Sequence, residues 1–343
     1  MSRDPTPTPR PLFEFHGGLH LRDTVLWLDA PKARQLCFIS HANVPGALAH
    51  QKILCTDRTA ELLLALGAID GRGRRLHEPQ ALVTPYRRPF SLGQLSLELF
   101  PSGLVLGAAS LLITYQGQAI VYAGEINPRR SSLGERLEAR HCDVLVLPCR
   151  FGQRRFSFPP VAQVTEGLLR FVRDAIEREQ VPVLFCSPLG EAQEVAALLH
   201  TASIPVRAYR QTLTLCRVYE RAGVLSGGVR RWTGPPSPGE PPFALLWPSD
   251  LRDSPALARL PALRTAFVSG YALDEEARAA MRCEASFALS CHADYPALLE
   301  YVQACKPRQV LLTQRASGEL ADDLRALGYP VADIEPPRQM EMF

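Results

Sequence analysis

Ser40-His41-Ala42-Asn43-Val44-Pro45-Gly46 follows directly on the apolar run Leu36-Cys37-Phe38-Ile39. The run reads as a buried strand, and the proline and glycine behind it as the loop into which that strand empties. A histidine set straight after a buried strand is a common opening of a metal site. Here the residues that would continue such a site are Asn43, Pro45 and Gly46. A neutral amide is a poor zinc ligand, and proline and glycine side chains offer no donor atom.

Working outward, Leu12-Phe13-Glu14-Phe15, Leu19-His20-Leu21 and Val25-Leu26-Trp27-Leu28 alternate with turn residues and predict an antiparallel sheet. Asp29 closes the third run. On the other side, Lys52-Ile53-Leu54-Cys55 predicts a short strand. Thr56 or Asp57 then caps a helix over residues 59–66 that Gly67 stops. Gly71-Arg72-Gly73-Arg74-Arg75 predicts an exposed basic loop. Residues 95–100 alternate as a strand with one wet face. Residues 110–115 and 119–123 pair across Gln116-Gly117-Gln118 as a hairpin, with Gly124-Glu125-Ile126-Asn127 immediately behind.

Residues 143–147 predict another buried strand, and from about 150 the pattern changes. Helix over 161–180, strand over 181–186, helix over 191–200 and strands over 204–206, 244–247 and 265–268 form the alternation of βαβ units around a parallel sheet. Residues 285–334 predict strand, loop, helix (295–305), strand (309–312), helix (318–327) and a last short strand.

The 343 residues can bury a substantial core and imply two lobes. No run approaches the roughly 20 apolar residues of a membrane-spanning helix. Residues 1–10 are polar and proline-rich, unlike a signal peptide, and are expected to be a flexible tail of a cytoplasmic protein. The nine cysteines are scattered without a C-x-x-C pair, which predicts reduced, mostly buried thiols. A net charge of +3 argues against a strong polyanion-binding field over the whole molecule. Arginine far outnumbers the three lysines, Lys32, Lys52 and Lys306. Genomic base composition explains that excess, and so does phosphate contact.

Several segments in this order resemble the metallo-β-lactamase/β-CASP family, the nucleic-acid-processing branch that includes RNA 3′-end-processing nucleases and ligase-associated DNA-repair exonucleases. The His41 loop resembles its H-x-H-x-D-H signature. Leu99-Phe100-Pro101-Ser102-Gly103-Leu104-Val105-Leu106-Gly107-Ala108-Ala109 resembles "aGHvLGSA", and Tyr122-Ala123-Gly124-Glu125-Ile126 resembles "YTGDI". Ser187-Pro188-Leu189-Gly190-Glu191-Ala192-Gln193-Glu194 resembles "aytlGKaQEl". Phe267-Val268-Ser269-Gly270-Tyr271 resembles "vSGwa", and Ser290-Cys291-His292-Ala293-Asp294-Tyr295 resembles "SDHADy". The resemblance implies an α/β chain: a metallo-β-lactamase αββα sandwich with an inserted β-CASP α/β lobe. Its two parts would be residues 11–150 and 271–335, with the lobe over 151–270 and tails at 1–10 and 336–343.

The family's chemistry is phosphodiester hydrolysis on two zinc ions. By the resemblance, His41 keeps the first histidine, Asp29 the first aspartate and His292 the general acid. Asn43, Pro45, Gly46, Leu104 and Gln314 replace ligands, Pro148 falls near an expected acid, and Glu125 replaces the bridging aspartate. His50 and His141 are the nearby spare histidines. The expectation is a catalytically inactive homologue without a zinc cofactor, its vestigial residues being His41, Glu125, His292, Asp29 and Asp294. It would act as a non-catalytic subunit or nucleic-acid-binding scaffold in DNA repair or RNA processing. Its partner would be an active nuclease, a helicase or a ligase. The alternative is an active metal-dependent exonuclease with a reduced or relocated site on His292, Asp294, His41 and Glu125. Candidate contacts to DNA or RNA are Arg129, Arg130, Arg150, Arg154, Arg155, Arg230 and Arg231. Plainer readings stand beside these: His41 as a core histidine bonded to a backbone carbonyl, His292 and Asp294 as loop braces, Asp29 and Glu125 as turn or cap residues.

Overall fold

The computed structural model describes residues 12–67, 79–129, 133–237, 239–260, 262–313 and 318–334. The basic loop at 71–75, Arg130, Gln314 and both expected tails lie outside the described residues. The chain begins with a six-stranded sheet ordered by sequence: β1 (Phe13–Phe15), β2 (Leu19–Leu21), β3 (Trp27–Leu28), β4 (Leu36–Phe38), β5 (Lys52–Cys55) and β6 (Gln80–Val83). Its start is antiparallel, as the turns at Gly17-Gly18 and Arg22-Asp23 suggest, but β3 to β6 run parallel. Helix α1 (Asp57–Gly67) is the crossover between β5 and β6. Thr56 caps it, its hydroxyl accepting from the Thr59 N–H at 3.1 Å.

The second sheet holds β7 (Phe90–Leu92), β8 (Leu95–Pro101), β9 (Ala109–Tyr115), β10 (Gln118–Tyr122) and β11 (Val144–Pro148). β9 and β10 form the expected hairpin, and β11 then pairs parallel with β10. Helix α2 (Val161–Glu177) leads into the third sheet. There β12 (Val181–Cys186), α3 (Glu191–Thr201), β13 (Val206–Ala208), α4 (Arg210–Arg221), β14 (Arg230–Arg231), β15 (Ala244–Pro248), β16 (Leu263–Val268), α5 (Glu275–Met281) and β17 (Ala285–Phe287) follow in turn. All six strands are parallel, in the order β14-β13-β15-β12-β16-β17. The chain then returns to the second sheet through α6 (Tyr295–Cys305), β18 (Gln309–Thr313), α7 (Gly318–Ala326) and β19 (Val331–Asp333).

One strand corrects the expected division. Ala285–Phe287 hydrogen-bonds to β16, so the third sheet reaches Phe287 and does not stop at 270. Helices α4 and α5 were not expected from the sequence. Their openings, Arg210-Gln211-Thr212 and Glu275-Glu276, are polar, and α5 buries no residue. In α4 a short apolar stripe of Leu215, Cys216, Val218 and Tyr219 is buried.

The period-2 alternation of the strands decides what packs where. Leu28, Phe38 and Leu54 of the first sheet meet Leu97, Leu99, Leu111, Ile113 and Val146 of the second in a shared core. On the second sheet's outer face, Val121, Leu145 and Leu147 pack against Leu298, Val302 and Leu324 of α6 and α7. On the first sheet's outer face, Cys37 and Ile53 join Leu62 and Leu63 of α1 in a core that continues into α2, α3 and α4.

Candidate functional site

Parallel neighbours end side by side, and this places the site. β3 and β4 are paired in parallel, so Asp29 and His41, just past their C-terminal ends, emerge together. β10 and β11 do the same for Glu125 and Arg150. The four side chains line one cavity of about 390 Å³, which Asn43 and Tyr122 also face. Crevices outside the carboxyl ends of parallel strands are where α/β sheets bind ligands.

Asp29 sits in the left-handed region at φ 42°. Its Oδ1 accepts from the Ser40 N–H at 2.8 Å, and its Oδ2 accepts from the Ser40 hydroxyl at 2.5 Å and the Tyr122 hydroxyl at 2.9 Å. Burial pushes its carboxyl up from 3.8 to about 6 against the pull of those hydrogen bonds. It therefore clamps the His41 loop to β10 and is more than the turn residue expected.

Ser40 has one proton, and the short contact gives it to Asp29. The 2.9 Å contact between Ser40 Oγ and His41 Nδ1 is then an N–H donating to the serine. This assigns His41 the tautomer with Nε2 bare. His41 bonds a hydroxyl, not the backbone carbonyl of the plainer reading. Burial lowers its ring from 6.5 to about 4.

Glu125 is buried at 6% exposure. Arg150 donates to its Oε1 from Nε at 3.0 Å and from Nη2 at 2.7 Å. His292 Nε2 lies 2.5 Å from its Oε2. Burial alone would raise this carboxyl, but His292 first, then His41 and Arg150, hold it well below the usual carboxylate range. Glu125 is thus the centre of an ion-pair network, not a cap. Asp294 is the brace in its loop: it caps α6 through Ala297 N–H at 3.2 Å and accepts from Phe158 N–H at 3.0 Å.

The positions at which the resemblance expects metal ligands fit two zinc ions poorly, and for physical reasons. Gly46 has φ 77°, and a Cβ there would lie 2.2 Å from the Pro31 carbonyl oxygen. The loop lies so close to Pro31 that any side chain at this position would force it to shift. Leu104 is 4% exposed within the apolar core, beside Leu106 and Val105. Asn43 and Pro45 are exposed, and Pro148 is a strand residue on the cavity wall. Among the spare histidines, His50 is fully buried and its Nδ1 accepts from Arg34 N–H at 3.0 Å, while His141 is exposed. Neither lines the cavity.

The expected basic contacts separate into two kinds. Arg129 lies 3.6 Å from Asp294 and stacks over Phe158. Arg154 pairs with Asp323 at 2.5 Å and Arg155 with Asp274 at 2.9 Å. Arg230 and Arg231 are exposed on β14, the edge strand of the third sheet. Ser40, Tyr122 and the role of Arg150 toward Glu125 were not anticipated. The signal available for two of them was adjacency to His41 and the three-residue spacing from Glu125.

No protein-family model matches the chain. Over 331 residues it is 32% identical to a protein named "Probable DNA ligase" from Opitutus terrae, a match that takes in 96% of this chain and 32% of that protein. Over 185 residues it is 22% identical to an RNase J-like protein from Methanocaldococcus jannaschii, covering 49% of this chain and 44% of the other. An uncharacterised Synechocystis protein is 28% identical over 197 residues, which are 34% of its length. The matches thus span between 32% and 44% of these relatives' own lengths. A crystal structure of a protein of unknown function from Enterococcus faecalis shares the fold, with a TM-score of 0.56 at 15% identity over 88% of this chain and 79% of that one.

Proposed function

We propose that the chain is a catalytically degenerate member of the metallo-β-lactamase/β-CASP family, kept as a non-catalytic subunit or nucleic-acid-binding scaffold. The layers support that fold: α1, the first sheet, the second sheet, then α6 and α7, with the parallel third sheet as the inserted lobe. On this reading the lobe runs from about 151 to Phe287, and the sandwich is made of the segments on either side.

The observation that carries the functional reading is the state of Glu125. A carboxylate that would bridge two cations in an active relative is here occupied by the Arg150 guanidinium on one oxygen and the His292 imidazole on the other. The fixed positive charge of the Arg150 guanidinium stands in for metal charge, and the closed Gly46 turn and buried Leu104 leave too few donors for a dinuclear centre. Function is read from the site, and this site lacks the means to activate a water.

The relatives' names supply the context of nucleic-acid processing. Two thirds of the ligase-named relative lies outside the match, so there a related segment is joined to further chain. That arrangement supports a ligase as partner, with an active nuclease or a helicase as the other candidates. The test is size-exclusion chromatography of the chain mixed with a ligase, an active β-CASP nuclease or a helicase from the same organism. A shared peak with one of them is expected. An inert monomer beside all of them would contradict the subunit reading.

A further inference from the structure

Three side chains of different donor chemistry meet between the start of α3 and the loop after β17. Glu191 opens α3, and Cys291 and His292 lie in the loop. Cys291 Sγ is 3.6 Å from Glu191 Oε1 and 3.6 Å from His292 Nδ1, and Nδ1 is 3.9 Å from Oε1. The last separation is too long for a hydrogen bond. The centre of that triangle lies roughly 2.1 Å from each atom, close to zinc's bond lengths of about 2.0–2.3 Å to carboxylate, imidazole and thiolate.

Three further observations point to a ligand. Glu191 is 5% exposed; its Oε1, the oxygen of the triangle, accepts from the Ser290 hydroxyl at 3.2 Å and the Cys291 N–H at 3.4 Å, while Oε2 of the same carboxylate is a buried atom with no hydrogen-bond partner. An unpaired buried carboxylate oxygen is costly and unusual. Gly190, at φ 97°, is the gap that admits the sulfur, since a Cβ there would sit 2.6 Å from Cys291 Sγ. His292 also presents the right nitrogen. Its Nε2 is engaged with Glu125 at 2.5 Å, which leaves Nδ1 to face Cys291. A carboxylate behind the far nitrogen is the usual way proteins orient a ligating histidine. Ser290 Oγ, 3.2 Å from both Nδ1 and Glu191 Oε1, is the nearest further oxygen.

The geometry points to a mononuclear zinc site formed by Glu191, Cys291 Sγ and His292 Nδ1, which ties α3 to the loop of residues 290–294. On binding, a Zn–S bond replaces the S–H bond of Cys291 and one proton leaves to solvent. A thiolate with imidazole and carboxylate selects a borderline-soft ion such as zinc over magnesium or calcium. The site shares no residue with the cavity lined by Asp29, His41 and Glu125 and meets it only through the contact of His292 with Glu125, and it does not depend on whether the protein is catalytic.

The test is a cobalt(II) titration of the full chain after treatment with chelator, followed by displacement with zinc. One equivalent is expected, with a sulfur-to-cobalt charge-transfer band in the near ultraviolet that zinc abolishes. Cys186→Ser, at a buried thiol of β12, should leave the band in place. Cys291→Ser should remove it, and Glu191→Gln, which keeps the side-chain shape, should weaken affinity at least ~10-fold. Absence of the band in the native chain, its survival in Cys291→Ser, or unchanged affinity in Glu191→Gln would each overturn the site. A cobalt site built on His41 and Glu125 would bind without the sulfur band, so the two sites are told apart.

Discussion

His292 Nε2 and Glu125 Oε2 stand 2.5 Å apart, joining the loop behind β17 of the third sheet to the loop behind β10 of the second. The contact is shielded, with both side chains at 19% exposure or less. Breaking a buried, paired charge leaves its partners uncompensated. Glu125→Gln, which keeps size and removes charge, is therefore expected to cost roughly 2–4 kcal/mol in chemical denaturation. In a double-mutant cycle with His292→Ala, a coupling above ~1 kcal/mol is expected. A cycle that closes near zero would mean the contact contributes little.

Asp29 and His41 give opposing pH dependences. Folded Asp29 keeps its proton to about pH 6, whereas an ordinary aspartate releases it near 3.8. The unfolded chain then binds fewer protons, so this contribution falls as pH rises across that window. Folded His41 loses its proton near 4, where an ordinary histidine holds it to 6.5, so its contribution rises with pH. Neither group figures among the causes of the other's shift. Relative to wild type, Asp29→Asn should gain stability as pH rises from about 4 to 6, by up to roughly 3 kcal/mol. His41→Gln should lose a similar amount over the same range. Parallel pH curves for all three proteins would contradict both assignments.

Gly46 and Leu104 predict how the chain responds to histidines at two positions where the resemblance expects ligands. Gly46→His must place a Cβ against the Pro31 carbonyl at positive φ, which costs about 2 kcal/mol or more. Leu104→His puts an imidazole into the apolar core, at about 2–5 kcal/mol. Combining these with Asn43→His and Pro45→Asp should give a poorly folded protein rather than a dinuclear zinc enzyme. Thermal melting and zinc stoichiometry measure both parts.

Arg230 and Arg231 are the exposed pair on an edge strand, while Arg154 and Arg155 are paired with Asp323 and Asp274. If single-stranded nucleic acid runs along β14, neutralising both should reduce the slope of log K against log salt by about 1.4. Fluorescence anisotropy over a salt series reads this directly. An unchanged slope would move the contact surface elsewhere.

The order of elements was largely legible because most strands are short apolar runs closed by glycine, proline or a capping residue. The residues at the positions where the resemblance expects ligands were legible too, since Asn43, Pro45 and Gly46 can be read without coordinates. The contacts of Glu125 were not. Arg150 looked like a surface arginine, and nothing local connects it to Glu125, 25 residues earlier; the pairing follows from β10 and β11 lying parallel. The cluster of Glu191, Cys291 and His292 was hidden for the same reason, its members being about 100 residues apart in sequence. Helix α4 was missed because charged and hydroxyl residues dominate its exposed face and leave only a narrow apolar stripe.

The most direct test of the central claim is cleavage of end-labelled single- and double-stranded DNA and RNA by the purified chain, with zinc or manganese, beside the His292→Ala and Glu125→Gln variants. The account predicts no cleavage above the level of the variants. Metal-dependent cleavage by the native chain that either substitution abolishes would show a working hydrolase and contradict the degenerate-site reading.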